Sequence, residues 1–455
     1  MRPSLATTVL TIGGILFAAS QTMVVPLLPA IADDTGASVA ELSWLITGPL
    51  VVAAAVAPAL GRLADLYGKK RILLVVMGGM TAGALLAGLT SWIPLLIAGR
   101  CLQGIGGAFV PVAISLLRDT LPARKFAGGV AALSSSLGLG VALGVPIAAA
   151  VGDLVDWHMV FLALAALNAA SGVSMAFIRE GLRAPGRRFD VIGAITLTAI
   201  LAVLMIVITG TGQWQLHDIR VLGGTAFVIV AGALWVWHER RAPEPVVDLR
   251  LAMRMPVALT NIAAFFLGYG LFANILLTTQ LLQVPARYPW GFGMTLLEAG
   301  LLIAPAGVAI VVFARISARF TNRLGPRVTM LIGSAVLAVG YALHLTLPEV
   351  WGAVTSLVVA SSGLAIAYAA LPVLISLEVP TSATASANAI NVLVRTAGQA
   401  ACSAVSAAFL LSFTVPGSQQ PAEIGYDLGF LAAMIASALA FGVALFLPRR
   451  AGQYS

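Results

Sequence analysis

Charged residues are scarce in this 455-residue chain, and their scarcity argues against a soluble globular protein. Asp, Glu, Lys and Arg make up 10% of it and hydrophobic residues 60%, whereas a soluble domain carries roughly a quarter charged residues. Apolar runs of about 20 residues, the length of a membrane-spanning helix, recur along the whole chain. Runs such as 191–210 show no alternation of apolar and polar residues, which argues against a β-barrel. We therefore predict an all-α polytopic membrane protein.

Cysteine and histidine are also sparse. The two cysteines, Cys101 and Cys402, both fall inside predicted spans, which excludes a framework of disulfides between loops. The four histidines show no metal-ligand spacing, and the sequence contains no phosphate-binding loop or nucleophile constellation. We expect no metal site, no cofactor and no enzymatic activity.

Basic residues outnumber acidic ones, 26 to 18, and most of them fall in alternate loops. Such asymmetry orients a membrane protein with its basic loops in the cytoplasm, and it argues against a nucleic-acid partner. We expect an even number of spans in the cell membrane, both termini in the cytoplasm and an uncleaved first helix. Fourteen spans are predicted, near residues 6–30, 40–60, 72–91, 94–117, 126–150, 158–178, 191–210, 221–238, 256–284, 296–314, 328–346, 351–377, 384–413 and 427–447.

A short charged hairpin, residues 61–71, lies between spans 2 and 3, and residues 318–327 repeat its pattern after span 10. In this repeat, Gly325 takes the place of Gly68. Two related six-helix halves commonly place a substrate site near the middle of the membrane at their interface. We predict an N-terminal bundle, a pair of inserted linker helices and a C-terminal bundle over residues 1–180, 181–250 and 251–455.

Several of these segments resemble the major facilitator superfamily of secondary transporters. The hairpin Gly61–Arg71 is similar to the family's loop between helices 2 and 3, and Arg100–Ala108 is similar to its span-4 signature, whose Arg the family links to proton coupling. Arg188–Ala194 and Gln280–Pro305 resemble the fourteen-helix drug:proton antiporter branch. The resemblance covers nearly the whole chain and implies the major facilitator fold, with two six-helix bundles plus two inserted helices.

Two segments depart from the pattern of that branch. Ser20 stands where span 1 of the branch carries an acid. In span 5, Gly140, Gly144 and Pro146 keep part of the antiporter signature, with the proline shifted by one place. We expect these three residues to serve close helix packing.

The hairpin acid is the first candidate site. Asp65 can pair with a local Lys or Arg, or it can accept hydrogen bonds from a nearby helix N-terminus. The resemblance implies that this contact latches the two halves in the outward-open state. Gly61 and Gly68 allow close helix approach and a tight turn, and Lys69 and Arg71 complete the predicted gating hairpin. The alternative is a solvated anchor that only fixes topology.

Proton coupling has three candidate residues. Arg100 lies inside span 4, where a charge has to face protein or water; its alternative role is a structural one, bonding backbone carbonyls. Coupling also needs a group that exchanges its proton in each cycle. Since no acid lies in the middle of a predicted span, Asp34 and Glu298, near the outer ends of spans, are the candidates by position. The alternative is that both are solvated loop acids.

Polar residues on four spans predict a substrate path. Those of span 13 follow steps of three and four, which keep them on one helical face, and such a stripe would be costly against lipid. Polar contact between packed helices is the alternative. The predicted path comprises Gln21, Gln103, Tyr269, Asn388, Asn391, Arg395 and Gln399.

The leading interpretation is a proton-coupled, secondary-active exporter of amphipathic or hydrophobic organic compounds, as in multidrug or antibiotic efflux. A second interpretation is export of a neutral or anionic lipid or secreted metabolite, because the span-1 acid is missing and two arginines lie within spans. A non-transporting receptor or a membrane enzyme on the same scaffold is the third. We expect a monomer whose partners are a small-molecule substrate, protons and membrane lipids.

Overall fold

The computed structural model describes residues 3–154, 156–181, 189–210, 218–243, 245–294, 296–347, 349–416, 418 and 420–448. Within these ranges the structure is helical, apart from turns, short connections and an isolated bridge between Thr414 and Pro421. The contacts within the chain divide it into two units. Unit 1 comprises Met1–Ala252 with Val379–Leu393, and unit 2 comprises Met253–Glu378 with Val394–Ser455.

Unit 1 contains the first eleven α-helices of the described chain. A short 3-10 segment, Gly104–Ala108, joins α5 to α6, and together they form one apolar stretch from Ile93 to Thr120. The helices are α1 (Pro3–Thr22), α2 (Leu28–Thr35), α3 (Val39–Tyr67), α4 (Lys69–Gly88), α5 (Ile93–Gln103), α6 (Phe109–Thr120), α7 (Ala123–Leu154), α8 (Trp157–Ala176), α9 (Val191–Gly210), α10 (Ile219–Arg241) and α11 (Leu249–Ala252).

Unit 2 is built from five further helices and part of a sixth. They are α12 (Met255–Gln283), α13 (Leu296–Leu324), α14 (Pro326–Thr346), α15 (Val350–Glu378), α16 (Thr384–Ser412) and α17 (Glu423–Leu445). Helix α16 begins in unit 1 and ends in unit 2, because residues up to Leu393 belong to the first unit.

Twelve helices of the described residues are long and apolar enough to cross a membrane. The predicted spans 126–150 and 191–210 coincide with α7 and α9, which are not among these twelve. An all-helical membrane architecture is therefore confirmed, whereas the count of fourteen spans stays a prediction.

The two units correspond only partly to the predicted domains. The change of unit after Ala252 lies close to the predicted boundary at residue 250, but α9 and α10, the predicted linker helices, group with unit 1. Residues 379–393, which the sequence assigns to the C-terminal bundle, also group with unit 1, because the short 3-10 helix Thr381–Ala383 contacts α3 and α6. The three-part division stays a prediction.

The repeated hairpin pattern corresponds to the same type of turn in each unit. Gly68 (φ 117°) separates α3 from α4, and Gly325 (φ 85°) separates α13 from α14. A positive φ strongly favours glycine, since other residues meet a steric penalty there. The two glycines therefore explain why both helix pairs turn at equivalent places in the repeat.

Helix α7 packs closely on α1 at two of the predicted packing residues. A Cβ atom at Gly140 would lie 2.5 Å from the backbone oxygen of Ile15, and one at Gly144 would lie 2.7 Å from Oγ1 of Thr22. Small residues permit this approach of two backbones. The side chain of Pro146, the third predicted residue, lies outside the described part of the chain.

Candidate functional site

The carboxylate of Asp65, near the end of α3, lies at the N-terminus of α16. It accepts hydrogen bonds from the backbone amides of Ala385 (3.2 Å) and Ser386 (2.9 Å) and from the Ser386 hydroxyl (3.0 Å). Asp65 is fully buried, and a buried carboxylate needs such donors in place of water. A helix N-terminus supplies free N–H groups and the positive end of the helix dipole. This geometry is one of the two contacts that the sequence allows for Asp65; its role as a latch stays a prediction.

Gly61, one turn before Asp65 on α3, lies against the same segment. A Cβ atom at Gly61 would be 3.0 Å from the backbone oxygen of Ala385 and 3.0 Å from Cβ of Ala389. Glycine therefore lets α3 approach the first turns of α16 closely enough for the Asp65 carboxylate to reach the backbone amides.

A buried ion pair lies next to this contact. Nζ of Lys69, the first residue of α4, is 2.5 Å from Oδ2 of Asp119 on α6, and both side chains are buried. Nζ of Lys69 also donates to the backbone oxygen of Thr381 (3.3 Å). Lys69 thus connects the hairpin with the segment that leads into α16, whereas Arg71, also predicted for the hairpin, is exposed.

Arg118 holds the same segment from α6. Its Nη1 donates to Oγ1 of Thr384 (2.5 Å), and its Nη2 donates to the backbone oxygen of Val379 (3.0 Å). We call residues 379–386 the α16 start; it is bonded by Asp65, Lys69 and Arg118. Sequence reasoning did not single out Arg118 or Asp119 as site residues. A basic residue at the end of a span is an ordinary topology signal, and an acidic residue beside it resembles a solvated loop residue.

The guanidinium of Arg100 is buried within unit 1 and bonds three oxygens. Its Nε donates to the backbone oxygen of Leu45 (3.0 Å), and its Nη1 donates to the backbone oxygen of Ser20 (2.8 Å) and to Oε1 of Gln103 (2.5 Å). Arg100 therefore ties α5 to α1 and α3. The two carbonyl contacts agree with the structural alternative, and Ser20 contributes a backbone oxygen where the family branch has a carboxylate. The coupling role stays a prediction.

Some buried polar atoms of Arg100, of its partner Gln103 and of the neighbour of Ser20 in sequence lack hydrogen-bond partners among the described residues. They are Nη2 of Arg100, Nε2 of Gln103 and both amide atoms of Gln21, which follows Ser20 in α1. A buried polar group without a partner costs about 1–3 kcal/mol. The two unpaired donors of Arg100 and Gln103 therefore favour an acceptor group, from water or from a ligand, at this place.

Tyr269 lies on α12 within unit 2, where α12 and α16 approach each other closely. A Cβ atom at Gly268 would lie 2.1 Å from the backbone oxygen of Arg395, and one at Gly398 would lie 1.9 Å from that of Phe265. The side chain of Tyr269 is buried, and its hydroxyl has no hydrogen-bond partner in the described part of unit 2. Tyr269 thus carries an unused polar atom at a tight helix contact.

Arg395 on α16 is half-buried and lies over an aromatic ring. Its guanidinium carbon is 4.7 Å from the ring centroid of Tyr368, a distance at which a cation and a ring attract each other. The hydroxyl of Tyr368 donates to the backbone oxygen of Leu267 (3.2 Å). Gln399, one turn further along α16, is half-buried as well.

The remaining predicted path residues on α16 belong to unit 1. Nδ2 of Asn388 donates to the backbone oxygen of Thr384 (2.9 Å), while its Oδ1 has no partner within the described ranges. Asn391 is buried and has an interaction partner. Asn388 and Asn391 group with unit 1, whereas Arg395 and Gln399 group with unit 2. The four residues are therefore related by their spacing along α16 and not by membership of one unit. Its role as a substrate path stays a prediction.

The two candidate proton carriers are exposed. Oδ2 of Asp34 accepts from the Ser91 hydroxyl (2.9 Å), which also lies 3.2 Å from Nε2 of His158. Glu298, in the first turn of α13, is exposed and has an interaction partner. Their exposure agrees with positions at the ends of spans and leaves both the coupling role and the solvated alternative open.

One group of three residues within the described chain has the side chains and the spacing to hold a metal ion. It consists of Asp190, His238 and Glu239, whose ligand atoms all lie within 4.8 Å of one another. The sequence did not reveal this group, because its members are far apart in the chain. Asp190 lies just before α9, and the other two residues lie in the last turn of α10. Only the pairing of these two helices brings them together.

The chain is similar to known transport proteins in sequence. The sequence profile described as Major Facilitator Superfamily matches residues 10–403. The tetracenomycin C resistance and export protein of Streptomyces glaucescens is 28% identical over 361 residues, which cover 78% of this chain and 63% of that protein. The multidrug efflux pump LfrA of Mycolicibacterium smegmatis is 28% identical over 402 residues, covering 86% of this chain and 77% of that protein. The chain thus spans less than two thirds of the first of these relatives.

Its fold is similar to that of solved transporters. The human organic anion transporter MFSD10 matches with a TM-score of 0.69 and 16% identity, over 98% of this chain and 100% of that structure. At that identity the likeness concerns the fold alone.

Proposed function

Since the chain belongs to the Major Facilitator Superfamily, we propose that it exports amphipathic organic compounds by alternating access, driven by the proton gradient. Its apolar helices support an integral membrane protein, and its family supports a role in transport. Export of organic compounds is supported by relatives described as a tetracenomycin C resistance and export protein and a multidrug efflux pump. The basic loops support a cell-membrane orientation with both termini in the cytoplasm.

The contact between Asp65 and the α16 start is the observation that carries this proposal. Residues 384–393 of α16 belong to unit 1 and residues 394–412 to unit 2, so the bonds of Asp65 hold one end of a helix that continues into the other unit. Hydrogen bonds to a charged group each contribute about 1.5–3 kcal/mol. A few such bonds are strong enough to favour one conformation and weak enough to be replaced by water in another.

Proton coupling is proposed to act through Arg100 and an acid. A buried guanidinium responds to any nearby change of charge, because screening by water is weak inside the protein. Asp34 and Glu298 are proposed as the acids from their positions in exposed first or last turns of helices, where protons from water can reach them.

The test is dye accumulation in cells with and without the protein, each with and without a protonophore. Lower accumulation of at least one amphipathic dye in expressing cells, abolished by the protonophore, is the expected result. Cells that express the Arg100→Ala variant at an equal level are the matched control. If accumulation falls equally with and without the protonophore, proton coupling is wrong; if no compound of a broad panel is exported, organic-compound export is wrong.

A second function, export of a neutral or anionic metabolite or lipid, is favoured by one observation. The unpaired donors of Arg100 and Gln103 suit a ligand with an acceptor group, and unit 1 has Ser20 rather than an acid at this place. The same assay with neutral and anionic amphiphiles separates the two functions, since each predicts a different ranking of compounds.

A further inference from the structure

The two inserted helices meet at a cluster of three side chains that transport chemistry does not explain. Asp190 caps α9: its Oδ1 accepts from the backbone amide of Gly193 (2.9 Å), and its Oδ2 lies 2.8 Å from Nε2 of His238. His238 and Glu239 lie in the last turn of α10. Nε1 of Trp235, one turn earlier, donates to the backbone oxygen of Gly193 (2.9 Å), which fixes α10 against the start of α9.

The cluster contains a buried oxygen that nothing in the described chain satisfies. Glu239 is 3% exposed. Its Oε1 accepts from the backbone amide of Val247, whereas its Oε2 has no partner among the described residues. A buried carboxylate oxygen without a donor or a cation is costly, and a second carboxylate nearby adds repulsion. A cation at Oε2 would remove this cost.

Gly193 leaves the space for that charge. A Cβ atom at Gly193 would lie 2.5 Å from Oδ2 of Asp190 and 2.9 Å from Oε2 of Glu239. The two carboxylate oxygens therefore lie close to the position that a Cβ atom at residue 193 would occupy. Asp190, His238 and Glu239 each offer one ligand atom, and these three atoms lie within 4.8 Å of one another; Nε2 of His238 is 2.8 Å from Oδ2 of Asp190.

We propose that Asp190, His238 and Glu239 bind one divalent transition-metal cation of the zinc type at the paired ends of α9 and α10. Imidazole and carboxylate are usual ligands of Zn²⁺, which binds them at about 2.0–2.2 Å in tetrahedral geometry. Ligand atoms in such a site are about 3.3 Å apart, so the present separations of 2.8 Å to at most 4.8 Å adjust by small side-chain rotations. Water completes the fourth position.

The second oxygen of each carboxylate accepts a hydrogen bond from a backbone amide. Metal ligands commonly have such hydrogen-bond partners in their outer shell. Gly193 holds Asp190, and Val247 holds Glu239. Because Val247 lies in the connection that follows α10, the cation would fasten the start of α9, the end of α10 and this connection to one another. The proposed site is a structural clamp on the inserted helix pair, and it is independent of which compound the transporter carries.

The test is metal binding by the purified full-length protein after treatment with a chelator. We expect one equivalent of Zn²⁺ to bind in calorimetry in the presence of excess Mg²⁺, and Co²⁺ to give the visible absorption of a tetrahedral site. Asp190→Asn, His238→Ala and Glu239→Gln should each weaken Zn²⁺ binding by at least about tenfold. His158→Ala is the matched control, since His158 also contacts a carboxylate, Asp156, and should leave binding unchanged.

Gly193→Ala gives a second test that removes no ligand. Its methyl group would occupy the space between the two carboxylate oxygens, so Zn²⁺ binding should fall while the protein stays monodisperse in size-exclusion chromatography. Absence of stoichiometric Zn²⁺ binding by the parent protein overturns the proposal, as does binding that all four variants retain or that excess Mg²⁺ displaces. In those cases the cluster is a hydrogen-bond network only.

Discussion

The carboxylate of Asp65 bonds both the backbone amide and the hydroxyl of Ser386, at 2.9 Å and 3.0 Å. These residues are far apart in the chain, yet they share unit 1 because the α16 start groups with the N-terminal helices. Both bonds end on the same buried oxygen, Oδ2, which makes the contact sensitive to the charge of Asp65. Loss of the charge on Asp65 would therefore weaken both bonds at once.

Asp65→Asn is therefore expected to reduce transport several-fold while expression stays near that of the parent. Asparagine is nearly isosteric, but it replaces charge-assisted bonds of about 1.5–3 kcal/mol by weaker neutral ones. The measurement is the initial rate of substrate efflux in cells with matched protein levels. Asp33→Asn, a change of an exposed acid, is the control and should have no effect. Equal rates for Asp65→Asn and the parent would reduce the hairpin to a topology anchor.

Gly140→Leu is expected to destabilise the protein, and Gly128→Leu on the same helix is expected not to. A Cβ atom at Gly140 would lie 2.5 Å from the backbone oxygen of Ile15, whereas one at Gly128 would meet nothing within 4 Å. Overpacking of a helix contact costs about 1–3 kcal/mol. The measurement is the melting temperature of the purified variants in one detergent. Equal melting temperatures would contradict the close packing of α7 on α1.

The predicted orientation places residues 91 and 125 on opposite sides of the membrane. Ser91 and Lys125 are both exposed, between α4 and α5 and at the beginning of α7. In a variant without Cys101 and Cys402, a cysteine at position 91 should react with an impermeant reagent added to intact cells, and one at position 125 should react only after lysis. Labelling of both positions in intact cells would refute the topology.

The helix pattern and the hairpin could be predicted from the sequence, because both depend on local order. Apolar runs define spans through their length, and glycine at position 68 marks a turn through its backbone freedom. The partner of Asp65 could not be predicted in the same way, since residues 385 and 386 lie in a segment that the sequence assigns to the C-terminal bundle. Almost every residue also has a backbone N–H group, so the identity of a side chain does not show which backbone amide donates to Asp65.

The buried charges of unit 1 show a second limit of sequence reasoning. Lys69 on α4 and Asp119 on α6 form an ion pair. In the sequence, each resembles an ordinary solvated charge at the end of a span. Asp190 and Glu239 meet only because α9 and α10 are paired. Such contacts depend on which helices are neighbours in space, and periodicity along the chain does not carry that information.

Arg100→Ala is expected to abolish coupled transport, and Arg100→Lys is expected to restore it only in part. Alanine leaves the backbone oxygens of Leu45 and Ser20 and the amide oxygen of Gln103 without their donor. Lysine keeps the charge but lacks the planar fork that reaches three oxygens. The measurement is substrate accumulation in proteoliposomes with an imposed pH gradient. Normal accumulation by the alanine variant against a substrate gradient would rule out the coupling role.

We expect the arginines, and not the acids, to determine which substrate charge is preferred. Arg100 is buried beside unpaired donors, and a bare cation without a counter-charge would lose its hydration at a cost of several kcal/mol. Neutral, zwitterionic or weakly anionic amphiphiles should therefore be exported faster than permanent dications in a competition assay that uses one fluorescent reporter. The reverse is expected if Asp34 or Glu298 reaches the substrate. Robust ethidium efflux by the parent that is lost in Asp34→Asn or Glu298→Gln, but kept in Asp33→Asn, would overturn the neutral-substrate ranking and identify the acid that takes the place of the missing span-1 carboxylate.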